Sequence, residues 1–165
     1  MKFEGEHANT VLAKQLFMHD KKKKENMWLI CADVNNNFDL KDLNKYLPVK
    51  SGDLRAADEE SLMTYLGCIK GLVNYFAMIN DVDKKVKIII DKKLMDAEFV
   101  SFHPMSHHAS TAIPKDAILK LKDLAGRDDT NFEILDFATI AGGVQAAKPE
   151  APAAGGDKKG KPAQG

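Results

Sequence analysis

The sequence is poor in most of what would announce a specialised chemistry. Its 165 residues hold two cysteines, Cys31 and Cys68, far apart in the chain, so neither a dense disulfide framework nor a short-spaced thiolate metal site is on offer. The count of Lys and Arg, 24, equals that of Asp and Glu, 24, and this even balance excludes the broad basic field of a protein that grips nucleic acid by charge alone. A polyanion partner has to be gripped locally or by another module. No apolar run approaches the ~20 residues of a membrane-spanning helix, and the start, MKFEGEHANT, lacks a signal-peptide core. A cytoplasmic protein with no membrane partner is the expectation. A glycine-rich phosphate loop, a serine elbow, a zinc-peptidase helix and a close pair of carboxylates are all missing.

What is there suits one domain with a core of its own. Residues 1–140 are expected to form it. From Ala146 the chain reads AAKPEAPAAGGDKKGKPAQG, with no large apolar side chain to offset the entropy of ordering. Residues 141–165 are therefore read as a disordered tail, or as a linker to a following domain.

Thr10–Met18, TVLAKQLFM, is apolar on both alternating faces, the pattern of an interior strand. Lys14 falls between Leu12 and Leu16 on one face, where its ammonium needs an anion or strong acceptors. The bland alternatives are that it snorkels to the rim or pairs with Asp33 or Asp91. Met27–Asp33 returns as a second strand, making a hairpin whose tip, Lys21 to Lys24, reads as solvated rather than as a phosphate contact. Asp39 and Asp58 are placed to cap two short helices, with stripes Leu40, Leu43, Leu47 and Leu62, Met63, Leu66. Ile69–Ile79 is expected as a glycine-interrupted strand or turn-strand, with Gly71 either a bulge or a point of close approach. Val86–Asp91 is a β-branched strand, Lys92–Ala97 a helical turn, Ser110–Ile113 a short strand and Phe132–Phe137 a last strand. Between the last two, Pro114 opens a helix with the stripe Ala117, Ile118, Leu121, Leu124, ended by Gly126. Hairpins mixed with crossovers favour an α/β or α+β domain on a mixed sheet.

The stretch Phe99–Thr111, FVSFHPMSHHAST, carries the most chemistry. An apolar run stops at His103, beside Pro104, which cannot continue a ladder. A metal site from His103, His107 and His108 is disfavoured: the adjacent pair points to opposite faces of a strand, and no clear acidic or thiolate ligand completes the set. No metal and no cofactor are expected. Lys14, Gly71 and His103 together offer an ammonium for a phosphate, main-chain N–H groups for a developing oxyanion, and an imidazole for orientation or proton transfer.

Five stretches in order resemble one family, the YbaK-type prolyl-tRNA editing domains, also called prolyl-tRNA synthetase-associated domains. They are AKQLFMHDKKKKENMWLI, LRAADEESLMTYLG, GLVNYFAMIND, VKIIIDKKLM and FHPMSHHAST, and the resemblance runs from about Lys14 to Phe137. The resemblance implies an α/β fold with a mixed, barrel-like β-sheet and short packing helices. It implies hydrolysis of the ester of a mischarged tRNA, typically alanyl-tRNA(Pro), without a metal and with the help of a water, backbone groups and the terminal ribose hydroxyl. The implied partners are the acceptor end of tRNA(Pro) and a prolyl-tRNA synthetase, in cis or in trans. On matching positions Lys14 would hold the terminal phosphate, Gly71 would supply backbone contacts near the scissile carbonyl, and His103 would position the aminoacyl group. Gln15, Leu72, Tyr75, Pro104 and His107 fall in the motifs that would bind substrate. Gln15 replaces the family's usual Asn, Tyr75 its Pro and His107 its Asn. These departures leave the amino acid removed open, and motivate the alternative of a tRNA- or synthetase-binding module that has lost editing. The family's usual segment ahead of the first hairpin is mostly missing, which implies either a trimmed chain or a pocket short of one wall.

Overall fold

The computed structural model describes residues 9–36, 38–106 and 108–140. In chain order the elements are β1 (Thr10–Asp20), β2 (Met27–Asp33), α1 (Leu40–Tyr46), β3 (Leu54–Ala56) and α2 (Glu59–Ser61), which continues as a π-helical segment, Leu62–Leu66. A 3₁₀ helix (Tyr75–Asn80), β4 (Val86–Asp91), α3 (Lys92–Asp96), β5 (Phe99–Phe102), β6 (Thr111–Pro114), α4 (Lys115–Leu124), β7 (Phe132–Leu135) and α5 (Phe137–Ile140) follow.

The central strands are apolar on both faces because both faces are covered. In β2, Met27, Leu29 and Cys31 enter one hydrophobic cluster while Trp28, Ile30 and Ala32 enter a second on the other side. Ile88 and Ile90 of β4 join the first cluster and Ile89 the second, all three fully buried. Each such side chain contributes roughly 1.5–3 kcal/mol of transfer free energy. The first cluster is roofed by Leu62, Leu66, Tyr75, Met78, Leu94 and Ile118, the second by α1 and α5 through Leu43, Tyr46, Phe137 and Ile140.

The sheet has seven strands in the order β6-β5-β1-β2-β4-β7, with β3 also on β1. It is mixed, as expected: β1–β2, β1–β3 and β5–β6 are antiparallel, while β1–β5, β2–β4 and β4–β7 are parallel. Residues 141–165, read above as a tail, lie outside the described residues. Among the described residues no helix is long and apolar enough to cross a membrane.

Several local expectations are corrected. Residues 69–79 form no strand. A turn containing Gly71, at φ +87°, leads into the 3₁₀ helix, and Asn74 caps it by accepting from the Ala77 N–H at 3.2 Å. Gly71 is thus neither bulged nor paired, because a capped helix competes for the backbone that a strand would use. The stripes are narrower than the spacing predicts: Leu40, Met63 and Leu124 are exposed, since these helices touch the sheet through one or two side chains each. Phe137 belongs to α5 rather than to β7, and the three-residue β3 had no apolar pattern to reveal it. The capping residues hold: Asp39 makes a full capping box with Asp42, and Asp58 accepts from the Ser61 N–H at 2.9 Å.

Candidate active site

β1 has one edge shared between two partners. On the side away from β2 it pairs with β5 through Thr10–Leu12 and with β3 through Met18–Asp20. Among the described residues no strand covers residues 13–17 on that side. The Phe17 carbonyl takes the Ala57 N–H at 2.9 Å, and the Ala13 carbonyl takes the side-chain amide of Gln15 at 3.1 Å. Leu12 is the last β1 residue paired with β5, opposite Ser101. Lys14, within β1, and His103, just beyond the end of β5, therefore each stand two residues past that pair, where continuing the register puts them on the face of Leu12 and Ser101 by period two. Gln15 falls on the opposite face, with Ala13 and Phe17.

Lys14 is half-buried. Its ammonium donates to the Asn36 carbonyl at 2.7 Å and sits 4.7 Å from the centroid of the Phe38 ring. Pairing with Asp33 or Asp91 is not what the structure shows. The Asp91 carboxylate is taken up by N–H donors, accepting from the Asn36 side chain at 2.8 Å and from the backbone of Asp33 and of Lys93 at 3.1 Å each. Asp33 accepts from the Asn35 N–H at 2.9 Å. Asp91 thus fixes Asn36, and Asn36 presents its carbonyl to Lys14.

The Gly71 turn and the segment after His103 are clamped to each other. The Asn74 amide donates to the Leu72 carbonyl at 3.1 Å and to the Met105 sulfur at 2.7 Å. The Cys68 thiol lies 3.7 Å from the same sulfur and 3.4 Å from the Leu66 carbonyl. Burial pushes that thiol up from its ordinary pKa, so it stays an S–H donor. Met105 itself is held at φ +53°, a left-handed conformation that a non-glycine residue adopts at a cost and that its two partners help to impose. Gly71 is exposed, and Leu72 and Pro104 are half-buried beside the clamp.

Tyr75 is placed elsewhere than its motif implies. It is fully buried, stacks on Phe102 at 5.7 Å and donates its hydroxyl to the Ile118 carbonyl at 2.8 Å, so its side chain belongs to the core behind the turn. The reason is that Asn74 and not residue 75 ends the turn, which swings the ring inward as the first residue of the 3₁₀ helix. His107 lies outside the described residues. His108 is exposed. His103 is half-buried, with Nδ1 3.3 Å from the Ala109 carbonyl and 3.1 Å from the Ser110 hydroxyl. Two residues carry no signal in the sequence: Ser110, and Ser101, whose buried hydroxyl has no partner among the described residues and lies two residues from His103. Nothing in a single polar residue within an apolar run distinguishes such a serine from a solvated one.

Chemically the described residues provide a cation held by a carbonyl and a ring rather than by a carboxylate, an exposed glycine in a turn, and an imidazole held at one nitrogen. Among the described residues no three His, Cys, Asp or Glu side chains cluster as metal ligands.

Comparison with known proteins bears on what such a site serves. The family model of the aminoacyl-tRNA editing domain matches residues 2–121. The chain is 35% identical over 120 residues to prolyl-tRNA synthetase associated domain-containing protein 1 of Mus musculus, covering 71% of this chain and 70% of that protein. It is 31% identical over 123 residues to the prolyl-tRNA editing protein ProX of Acetoanaerobium sticklandii, covering 74% and 73%. The fold is shared with the crystal structure of a candidate trans-editing enzyme for prolyl tRNA synthetase, at TM-score 0.51 and 18% identity over 76% of this chain and 68% of that one.

Proposed function

Since the chain belongs to the aminoacyl-tRNA editing domain family, we propose that it is a deacylase that clears mischarged tRNA(Pro), foremost alanyl-tRNA(Pro). The observation that carries this reading is the placement of Lys14 and His103 two residues past the last β1–β5 pair, with Lys14 held, among the described residues, by a carbonyl and a ring. In this reading the Lys14 ammonium binds the phosphate of the terminal nucleotide, which its carbonyl and aromatic partners leave it free to do. Backbone groups of the Gly71 turn, whose φ of +87° suits glycine, face the scissile ester carbonyl. His103 orients the aminoacyl group. Water adds its oxygen to the carbonyl carbon, the bond from that carbon to the ribose oxygen breaks, and the ribose oxygen takes up a proton. The free amino acid and the uncharged tRNA leave. A prolyl-tRNA synthetase is the natural partner for such a reaction, because it supplies the mischarged substrate.

The test is a deacylation panel. Purified protein is expected to hydrolyse alanyl-tRNA(Pro) faster than seryl- or cysteinyl-tRNA(Pro), and to leave prolyl-tRNA(Pro) intact. If all of them survive under conditions in which ProX clears its substrate, the reading is wrong. Salt-sensitive tRNA binding without turnover would instead favour a module that binds but does not edit.

A further inference from the structure

The two nitrogens of an imidazole become unequal once one of them meets a partner that can only accept. Nδ1 of His103 lies 3.3 Å from the Ala109 carbonyl oxygen and 3.1 Å from the Ser110 hydroxyl oxygen. A carbonyl never donates, so the contact with Ala109 is a hydrogen bond only when Nδ1 carries the proton. The Ser110 hydroxyl can accept or donate; beside an acceptor-only carbonyl it accepts from the same Nδ1–H, so the two contacts together hold that form more firmly than the carbonyl alone.

This contact is dictated by register. β5 and β6 are antiparallel, with Phe99 opposite Pro114 and Phe102 opposite Thr111. The next pair outward is His103 with Ser110, so the hairpin itself brings the imidazole and the hydroxyl face to face. On the neutral ring Nε2 is then the unprotonated nitrogen, and it has no partner among the described residues.

We propose that Ser110, together with the Ala109 carbonyl, is a positioning residue that holds His103 as its Nδ1–H tautomer and leaves the Nε2 lone pair to accept a hydrogen bond from the α-ammonium group of the aminoacyl ester. The identity of that donor rests on the deacylase reading above; the tautomer does not. The opposite tautomer would set an N–H against an ammonium, donor against donor, and leave the Ala109 carbonyl unpaired. Selection of the ring form is therefore also selection for a substrate with a free amine.

Long-range ¹H–¹⁵N spectra of the ligand-free protein, at a pH where the ring is neutral, read the tautomer directly. The wild type is expected to show Nδ1 protonated and Nε2 bare, Ser110→Ala a mixture of both forms, and Ser110→Thr the wild-type pattern again. With alanyl-tRNA(Pro), Ser110→Ala is expected to lose about tenfold in kcat/KM and Ser110→Thr to stay within about twofold of the wild type. An Nε2–H tautomer in the wild type overturns the inference whatever becomes of the variants. So does a folded Ser110→Ala protein whose spectrum and kcat/KM are both unchanged. A wild type that shows the Nδ1–H form yet clears no mischarged tRNA upholds the Ser110 contact and overturns the ammonium as its purpose.

Discussion

Lysines stand within β1 and just past its end, and the two groups could hardly be held more differently. Past its end, at the hairpin tip, Lys22 pairs with Asp53 and Lys24 with Asp58, each at 3.0 Å and each with a lysine side chain about two-thirds exposed, 64% and 67%. Near its start, the half-buried Lys14 is held by a carbonyl and a ring, both neutral. The tip carries four consecutive lysines and looks the more cationic, yet two of its charges are matched where they stand. Exposed pairs of that kind contribute little and are screened by salt. Among the described residues Lys14 meets a carbonyl and a ring rather than a carboxylate, in a place partly withdrawn from water where an anion is felt most strongly. The placement of one lysine in a strand therefore says more about function than the number in a run.

Substitution can break that comparison, and the largest effect is expected at Lys14. Lys14→Ala should lower kcat/KM for alanyl-tRNA(Pro) by about a hundredfold, the worth of a charge-assisted contact to phosphate. A loss of only a few-fold in steady-state assays would put Lys14 outside the substrate's reach. Phe38→Leu keeps most of the packing against Phe137, whose ring centroid is 4.5 Å away, but removes the aromatic face under the ammonium. About fivefold is expected, mainly in KM. Lys22→Ala should stay within about twofold. A tenfold loss there would mean that the tip grips tRNA after all, and that its ion pairs open on binding.

The smallest effect concerns stability alone. Hydrogen bonds from Ser61, and then the Lys24 ammonium, hold the Asp58 carboxyl well below the usual carboxylate range. A carboxyl depressed on folding adds stability above its unfolded pKa, and that stability is lost as pH falls toward the folded value. Thermal melts of Asp58→Ala should therefore fall below the wild type at neutral pH and converge with it on acidification. A gap that widened in acid would have the wrong sign for this linkage.

The parts of the fold that the sequence made legible are those whose signal is local. The β-branched run Val86–Asp91, the double-faced apolar strands β1 and β2, and the carboxylate caps at Asp39 and Asp58 each follow from neighbours in the chain. Residues 69–79 misled because their aromatic and aliphatic content resembles a strand, while the deciding residue is polar: Asn74 offers its side chain to the backbone and so nucleates a helix instead. The site divides the same way. Lys14 was legible as a cation on an apolar face, but its partner is a backbone carbonyl 22 residues away, which no composition specifies. Tyr75 drew attention by replacing the family's Pro in the glycine motif, yet its hydroxyl reaches Ile118, 43 residues on, and that contact keeps the ring in the core. Ser110 became visible only through the register of β5 and β6.

The shared edge of β1 also sets an order of events during synthesis. Of the described strands β1 is made first and finds β2 at once through a short turn, but its pairing with β5 comes later, and His103 waits for Ser110 beyond that. Pairings so distant in sequence form late, after the loop-closure entropy has been met by nearer contacts. Lys14 thus spends the early life of the chain beside an unfinished edge, and a nascent chain halted before residue 111 lacks the β6 strand that pairs with β5. Because elongation proceeds at about 5–20 residues per second, the pairing of β5 with β1 and then with β6 becomes available seconds after β1 is made, in one late step rather than gradually.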